Sequence, residues 1–344
     1  MSHTIHGVAT TPLTTTPAAS PVTPSAQIAR HAGLAFSLAF SVALGATSCG
    51  KSNAQSDTSH ANAAGGTTNA VDHMDHGAVA TATASDTLPF ADDTARPADA
   101  AHALARLNTS PRHGQYVMIP RASGDSLRAW VVYPERNTQS PVVIVVHEIF
   151  GMSTWVRAVA DQLAQAGYIA IAPDLVNSPS LPGGPDSVSM QDGIAAVSKL
   201  NPKQVMTDLD AAAKWGMEQP SALKKYGIVG FCWGGGIAFQ YAAHAPDLAA
   251  AVVYYGQAVA PKDVPLVRAA VLGNYAGKDA RVDMTIPPTD SAFRAQNKIF
   301  QYHIYEGAGH GFARAQTLEN GANLNAIQAA WPATIGWFRH YLGR

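Results

Sequence analysis

Cysteine is almost absent from this chain: 344 residues hold two, Cys49 and Cys232. Two cysteines cannot build a disulfide framework, and neither stands in a CxxC or CxxH spacing, so the pattern of a structural zinc site is missing as well. Net charge is equally scarce, −1 in formal terms, with 23 basic against 24 acidic residues. Without a basic run or stripe, the phosphate attraction that drives nucleic-acid binding is missing, and no nucleic-acid partner is expected. A long apolar run is lacking too. The strongest, "AGLAFSLAFSVALGATSCG", is too short to span a bilayer comfortably.

What is present divides the chain near residue 100. Residues 1–49 read as an export signal. A Thr-, Pro- and Ser-rich start ends in Arg30 and His31, then comes the apolar run, with small residues just before Cys49. The start is long for the charged region of such a signal, which fits translation beginning downstream of Met1. The stretch "GATSC" resembles a bacterial lipobox, with Ala46 where leucine is usual. That resemblance implies lipidation of Cys49 and an exported, periplasmic, lipid-anchored protein of the bacterial cell envelope. Any membrane association is expected through that anchor alone. Residues 50–101 are Ala-, Thr- and Ser-rich with few large apolar side chains, so they cannot offset their ordering entropy and read as a disordered tether. Within them His73, Met74, Asp75 and His76 could hold a soft transition metal. An incidental histidine pair is the commoner fate on a tether, and no metal is assigned.

The folded part is expected over residues 102–344. "GQYVMIPR" and "SLRAWVVYP" predict two opening strands around a Gly-Asp turn. "PVVIVVHEIFG" and "IAIAPDL" are continuous apolar runs, the pattern of strands buried on both faces. Helical spacing follows in "TWVRAVADQLAQAGY" and "PKQVMTDLDAAAKWGM". Then come strand "YGIVGF", helix "GGGIAFQYAAHA", strands "LAAAVVYYG", "AAVLGNYAG" and "KIFQYHIYE", and a closing helix that Pro332 is expected to interrupt. Strands alternating with helices predict an α/β protein, a mostly parallel central sheet with helices on both faces. Chemistry in such sheets sits at the carboxyl ends of the strands.

One cysteine occupies such an end. Gly230-Phe231-Cys232-Trp233-Gly234 fits G-x-nucleophile-x-G between a predicted strand and a predicted helix, the context of a nucleophile elbow. The helix N-terminus there favours thiolate over thiol. A nucleophile on this fold needs an acid and then a histidine later in the chain. Of the histidines that follow, His303 lies within a strand and His340 on the outer side of the last helix. His310, just past a strand end among glycines, is the candidate base. Asp279 directly follows the preceding strand and is the candidate to orient it, whereas Asp283 and Asp290 read as solvated. In hydrolases of this shape the loop after the "VVIVV" strand supplies one oxyanion-hole amide and the residue after the nucleophile supplies the other, which points to Ile149 and Trp233. Glu148 beside them is out of place, since an acid opposes a neighbouring thiolate. His147 is a rival base whose early position suits a supporting role.

With these residues in hand, residues 115–344 resemble the dienelactone hydrolase family, the carboxymethylenebutenolidases of the α/β-hydrolase superfamily. Four motifs in order carry the resemblance: "HEIFG", "GFCWGG", "AGKD" and "GAGHGFAR". It implies the α/β-hydrolase fold, a Cys232-Asp279-His310 triad, and a role for Glu148 in ionising the cysteine when substrate arrives. Arg314 falls where the family binds a substrate carboxylate. A second arginine of the family's site has no counterpart, since none occurs between Arg157 and Arg268, where Lys199 and Lys203 lack the planar fork. The expected function is hydrolysis of a small-molecule lactone or carboxylic ester through a covalent acyl-enzyme, without cofactor, by a monomer. Two other classes stand beside it: a non-catalytic envelope lipoprotein using the fold as a binding module, and a redox or metal-carrying protein using Cys232 and the histidine-bearing tether.

Overall fold

The computed structural model of the protein describes residues 95–343. The export segment, Cys49, the His73–His76 cluster and most of the expected tether lie outside the described residues. A short helix α1 (Ala103–Thr109) leads into two antiparallel strands, β1 (Gly114–Pro120) and β2 (Ser126–Val132). Six more strands follow: β3 (Ser140–Val146), β4 (Ile169–Pro173), β5 (Ala222–Phe231), β6 (Ala250–Tyr254), β7 (Ala270–Ala276) and β8 (Phe300–Tyr305). Within the described residues they form one sheet in the order β1-β2-β4-β3-β5-β6-β7-β8. β2 meets β4 antiparallel, and every pairing from β4 to β8 is parallel.

The helices between the strands are α2 (Thr154–Gln165), α3 (Met190–Ser198), α4 (Pro202–Glu218), α5 (Trp233–His244), α6 (Ala280–Asp283), α7 (Ile286–Ala295) and α8 (Ala322–Leu342). Several starts are set locally: the Ser153 hydroxyl accepts from the Val156 amide, and Asn201 accepts from Lys203 with Pro202 at the first helical position. The pleat of the central strands then decides what each face buries. In β3, Val142, Ile144 and Val146 join a core with Val205 and Leu209 of α4 and Phe239 of α5. Val143 and Val145 point the other way, into a second core with Trp155 and Leu163 of α2 and Trp331 and Phe338 of α8. Both faces are therefore covered, which is why every residue of β3 is buried and its sequence shows no alternation. This is the mostly parallel sheet with helices on both faces that the strand and helix pattern predicts, and the α/β-hydrolase architecture that the resemblance implies.

Three details depart from the sequence reading. Pro332 sits inside an unbroken α8. A proline in a helix interior costs about 3 kcal/mol, but Trp331, Thr334 and Phe338 on either side of it are buried and hold the helix on the sheet. Helices α1 and α3 carry no clear mark in the sequence. Finally, the packed body begins before residue 102, because Arg96, Ala98 and Asp99 are buried. Arg96 Nε donates to Gln316 Oε1 at 2.9 Å, Gln316 Nε2 donates to the Pro97 carbonyl at 2.9 Å, and the Ala100 amide donates to the Arg314 carbonyl at 2.9 Å. This strap ties the start of the described chain to the loop after β8.

Candidate active site

The turn from β5 into α5 is built by glycines that admit no side chain. A Cβ on Gly230 would lie 1.9 Å from the Gly234 carbonyl oxygen, and one on Gly234 would lie 2.3 Å from the His147 carbonyl oxygen. Between them Cys232 takes φ 56° and ψ −120°, a conformation that L residues avoid. Such a backbone costs on the order of 1–3 kcal/mol and persists only where the surroundings enforce it. Here the Cys232 amide donates to the Tyr254 carbonyl at 3.0 Å, and the Cys232 carbonyl accepts from Gly235 and Gly236 at 3.0 and 3.2 Å. The elbow is thus pinned from the strand, from the helix and from β6.

β7 and β8 end beside it. Asp279 follows β7 and caps α6, buried to 8% exposure, and the loop after β8 carries His310. His310 Nδ1 donates to Asp279 Oδ2 at 2.5 Å, because an ionised carboxylate can only accept. That bond fixes the tautomer and leaves Nε2 free to accept a proton. Two contacts hold the ring: it packs edge-on to Tyr255 at 5.1 Å, and the preceding Gly309 amide donates to the buried Asn323 side chain at 2.8 Å. The rejected residues lie elsewhere. His303 is exposed on the edge strand β8 and His340 is exposed on α8. Asp283 and Asp290, expected to be solvated, are half-buried, and Asp290 pairs with Arg294 at 2.9 Å.

The loop after β3 closes the third side. His147 is fully buried and cannot act as a base: its Nδ1 donates to the Glu148 carbonyl at 2.6 Å while its Nε2 accepts the Leu175 amide at 3.2 Å. Burial pushes its pKa down, so it is a neutral brace, and its ring stacks on Trp233 at 5.5 Å. The backbone N–H groups of Ile149 and Trp233 both face the Cys232 sulfur and favour its anion. Gly193 of α3 lies against the Ile149 carbonyl, where a Cβ would approach to 2.8 Å.

Burial nevertheless decides the state of the thiol. It pushes Cys232 up to about 11, the carboxylate of Glu148 adds to the rise, and the two amides and Arg281 oppose it without prevailing. Cys232 is therefore a thiol at neutral pH, and the pull of the helix N-terminus expected from sequence is outweighed. Glu148 is itself pushed from 4.5 to about 7 by burial, with the positive charge of Arg314 and the nearby Tyr255 hydroxyl pulling the other way. Arg314 Nε lies 3.4 Å from Glu148 Oε2, an ion pair without full hydrogen-bond geometry, and its guanidinium rests 4.6 Å over the Phe150 ring. Glu148 Oε2, Arg314 Nε and the Tyr255 hydroxyl are all buried and make no hydrogen bond of full geometry.

Because Glu148 titrates higher in the folded chain than unfolded, the folded state keeps a proton that the unfolded state has already lost. Its contribution to stability is fully present below pH 4.5 and disappears as pH rises through about 7. Glu148→Gln lacks this titration, so wild-type stability is expected to fall relative to the variant by about 3 kcal/mol across that range. Urea unfolding at pH 4.5 and pH 8 reads this directly. A wild-type-to-variant difference that stays constant would mean Glu148 ionises like an exposed carboxyl.

Cys232, His310, Glu148 and Arg314 all line one cavity of about 590 Å³, with apolar walls that include Phe150 and Ile194. Among the described residues, His310 and the sulfur face this common space without a hydrogen bond between them. Two lining residues escaped the sequence reading. Tyr255 sits at the end of β6 with φ 39°, beside Glu148, and nothing in "VVYYG" marks it. Arg281, two residues after Asp279, could have been found by asking which cations stand near the triad candidates. Among the described residues, no group of three or more His, Cys, Asp or Glu side chains is arranged to hold a metal.

Comparison with known proteins matches residues 127–342 to the dienelactone hydrolase family. A protein of Yersinia pestis named "Putative carboxymethylenebutenolidase" is 35% identical over 257 residues, covering 70% of this chain and 94% of its own. A protein of the same name from Escherichia coli strain K12 is 33% identical over 244 residues, covering 67% and 88%. Among solved structures, a Klebsiella pneumoniae protein described as "Putative Dienelactone Hydrolase" superposes with a TM-score of 0.60 at 32% identity, covering 67% of this chain and 99% of its own.

Proposed function

The chain belongs to the dienelactone hydrolase family, and we propose that it cleaves its ester or lactone through a thioester formed on Cys232. One observation carries this reading: the 2.5 Å His310–Asp279 bond borders the same cavity as a cysteine held at an elbow of positive φ. The thiol first gives its proton to His310 Nε2, and the sulfur attacks the substrate carbonyl carbon. Negative charge then grows on the carbonyl oxygen, where the Ile149 and Trp233 amides receive it. The tetrahedral adduct collapses with loss of the alkoxide, which takes the proton from His310. Water attacks the thioester carbon with His310 as base, and the acid leaves as the sulfur regains its proton.

A thiol at about 11 is a poor nucleophile at rest, so ionisation has to follow substrate arrival. Glu148 and Arg314 are placed to couple the two events. A substrate carboxylate that engages Arg314 competes with Glu148 for the guanidinium, and Glu148, freed from the charge that holds its pKa down, becomes a stronger base that can take part in removing the thiol proton. Steady-state hydrolysis of p-nitrophenyl acetate and of cis- and trans-dienelactone by the full chain tests the class. Intact-protein mass spectrometry after rapid acid quench tests the intermediate. The expected result is turnover with an acyl group on Cys232. Turnover with the label elsewhere would remove the thioester, and no turnover on any of the three would favour a binding module.

A further inference from the structure

Helix α3 carries two large apolar side chains that the cores do not account for. Its Ala196 and Val197 pack against a small cluster of Val176, Leu181 and Val188. Met190 and Ile194 stay outside that cluster: they are 65% and 52% exposed, and both line the Cys232 cavity. Four positions apart on one helix, they share a face. Other walls of the cavity are apolar as well, with the buried Ile237 of α5 and Val282 of α6 lining the same space. At about 590 Å³ the cavity has the size of those that enclose drug-sized ligands, far more than an acetyl group fills. Exposed apolar side chains gathered at such a cavity mark a place where an apolar group binds.

We propose that Met190 and Ile194 seat an apolar chain on the acyl side of the substrate, so that the enzyme favours esters of medium-chain acids over acetyl esters. This rests on the hydrolase reading above. The acyl side is assigned by the groups that flank the reacting carbon. A leaving alkoxide takes its proton from His310 and so sits beside the loop after β8. Helix α3 instead lies on the oxyanion loop: a Cβ on Gly193 would come within 2.8 Å of the Ile149 carbonyl oxygen. A chain that extends from the carbonyl carbon away from His310 therefore has the Met190 and Ile194 face within the same cavity. The first turn of α3 is fixed there by the Ser189 hydroxyl, which accepts from the Asp192 amide at 3.1 Å. The two side chains are uncharged, so what they contribute is removal of apolar surface from water. This contact neither requires nor displaces an anion at Arg314.

The test compares p-nitrophenyl hexanoate with p-nitrophenyl acetate, which share a leaving group and differ only in the length of the acyl chain. The quantity read is the ratio of their kcat/KM values in wild type and in two double variants. One combines Met190→Gln with Ile194→Gln, the other Met190→Leu with Ile194→Leu. Glutamine is a good helix former and both positions are exposed, so α3 should persist, which circular dichroism checks. The ratio is expected to favour hexanoate in wild type and to fall about tenfold in the glutamine pair, mainly through KM. The leucine pair should keep most of the preference. A wild type that prefers acetate, or a ratio that the glutamine pair leaves unchanged, overturns the proposal. Binding of the neutral fluorescent probe N-phenyl-1-naphthylamine, followed in a Cys232→Ala background, gives a readout independent of turnover. The glutamine pair should weaken it about tenfold, and equal affinity counts against the seat. Should wild type hydrolyse neither ester while probe binding still depends on Met190 and Ile194, the hydrolase reading falls and the apolar seat stands.

Discussion

Cys232→Ala is expected to lower kcat on p-nitrophenyl acetate by at least about 10⁴-fold, leaving the residual rate that an oxyanion hole and binding alone sustain. The size of the loss follows from the proposed thioester route, because no other described cysteine exists to take over the attack. Folding should survive. The strained backbone at residue 232 is imposed by bonds to Tyr254, Gly235 and Gly236, all made by main-chain atoms that alanine also has. A circular dichroism spectrum and melting curve close to wild type would separate lost chemistry from lost structure. Cys232→Ser adds a finer reading: serine keeps the shape but is far harder to ionise beside Glu148, so it should remain well below wild type. Retention of more than a tenth of wild-type kcat in Cys232→Ala would remove the cysteine from the mechanism.

Gly230→Ala is expected to have the largest effect on folding, a loss of more than about 4 kcal/mol, read as insoluble expression or a collapse in urea midpoint. Its Cβ would sit 1.9 Å from one backbone atom of Gly234 and 2.4 Å from another, so no rotamer change relieves the clash. Nor can the elements part. β5 is hydrogen-bonded to β3 on one side and β6 on the other, and the first turn of α5 is buried. Gly336→Ala supplies the contrast. It lies within α8, and a methyl group added there would meet only open space, so alanine should stabilise by about 0.5–1 kcal/mol. If the two variants behaved alike, crowding at the elbow would not be the cause.

Much of this arrangement could be read from residue order. The β-branched runs of β3 and the apolar run of β4 marked strands buried on both faces, and the Gly-x-Cys-x-Gly turn marked the end of β5. The rule that chemistry gathers at carboxyl ends then brings Asp279 and His310 to the same place from residue order alone. The misses have physical causes. α3 is short and leaves Met190 and Ile194 exposed, so it lacks a clear apolar face, and α1 shows the same weakness with Leu104 exposed. The thiol's ionisation depends on how completely Cys232 and Glu148 are buried, a property of packing from many elements at once. Tyr255 has its role because its backbone turns to φ 39° after β6, which no local pattern reveals.

The strap between Arg96 and Gln316 bears on the order in which the protein folds. Its partners are separated by 220 positions, so the contact closes nearly the whole described chain into a ring. Closing so long a loop carries an entropic penalty that short-range contacts do not, and such contacts form late, once the intervening sheet has brought their ends together. The segment that Gln316 and the Arg314 carbonyl help to fix is the one that carries His310. During refolding, secondary structure and the burial of Phe239 between α5 and the sheet should therefore be recovered first. Competence for hydrolysis arrives only when the Arg96 strap meets the loop after β8.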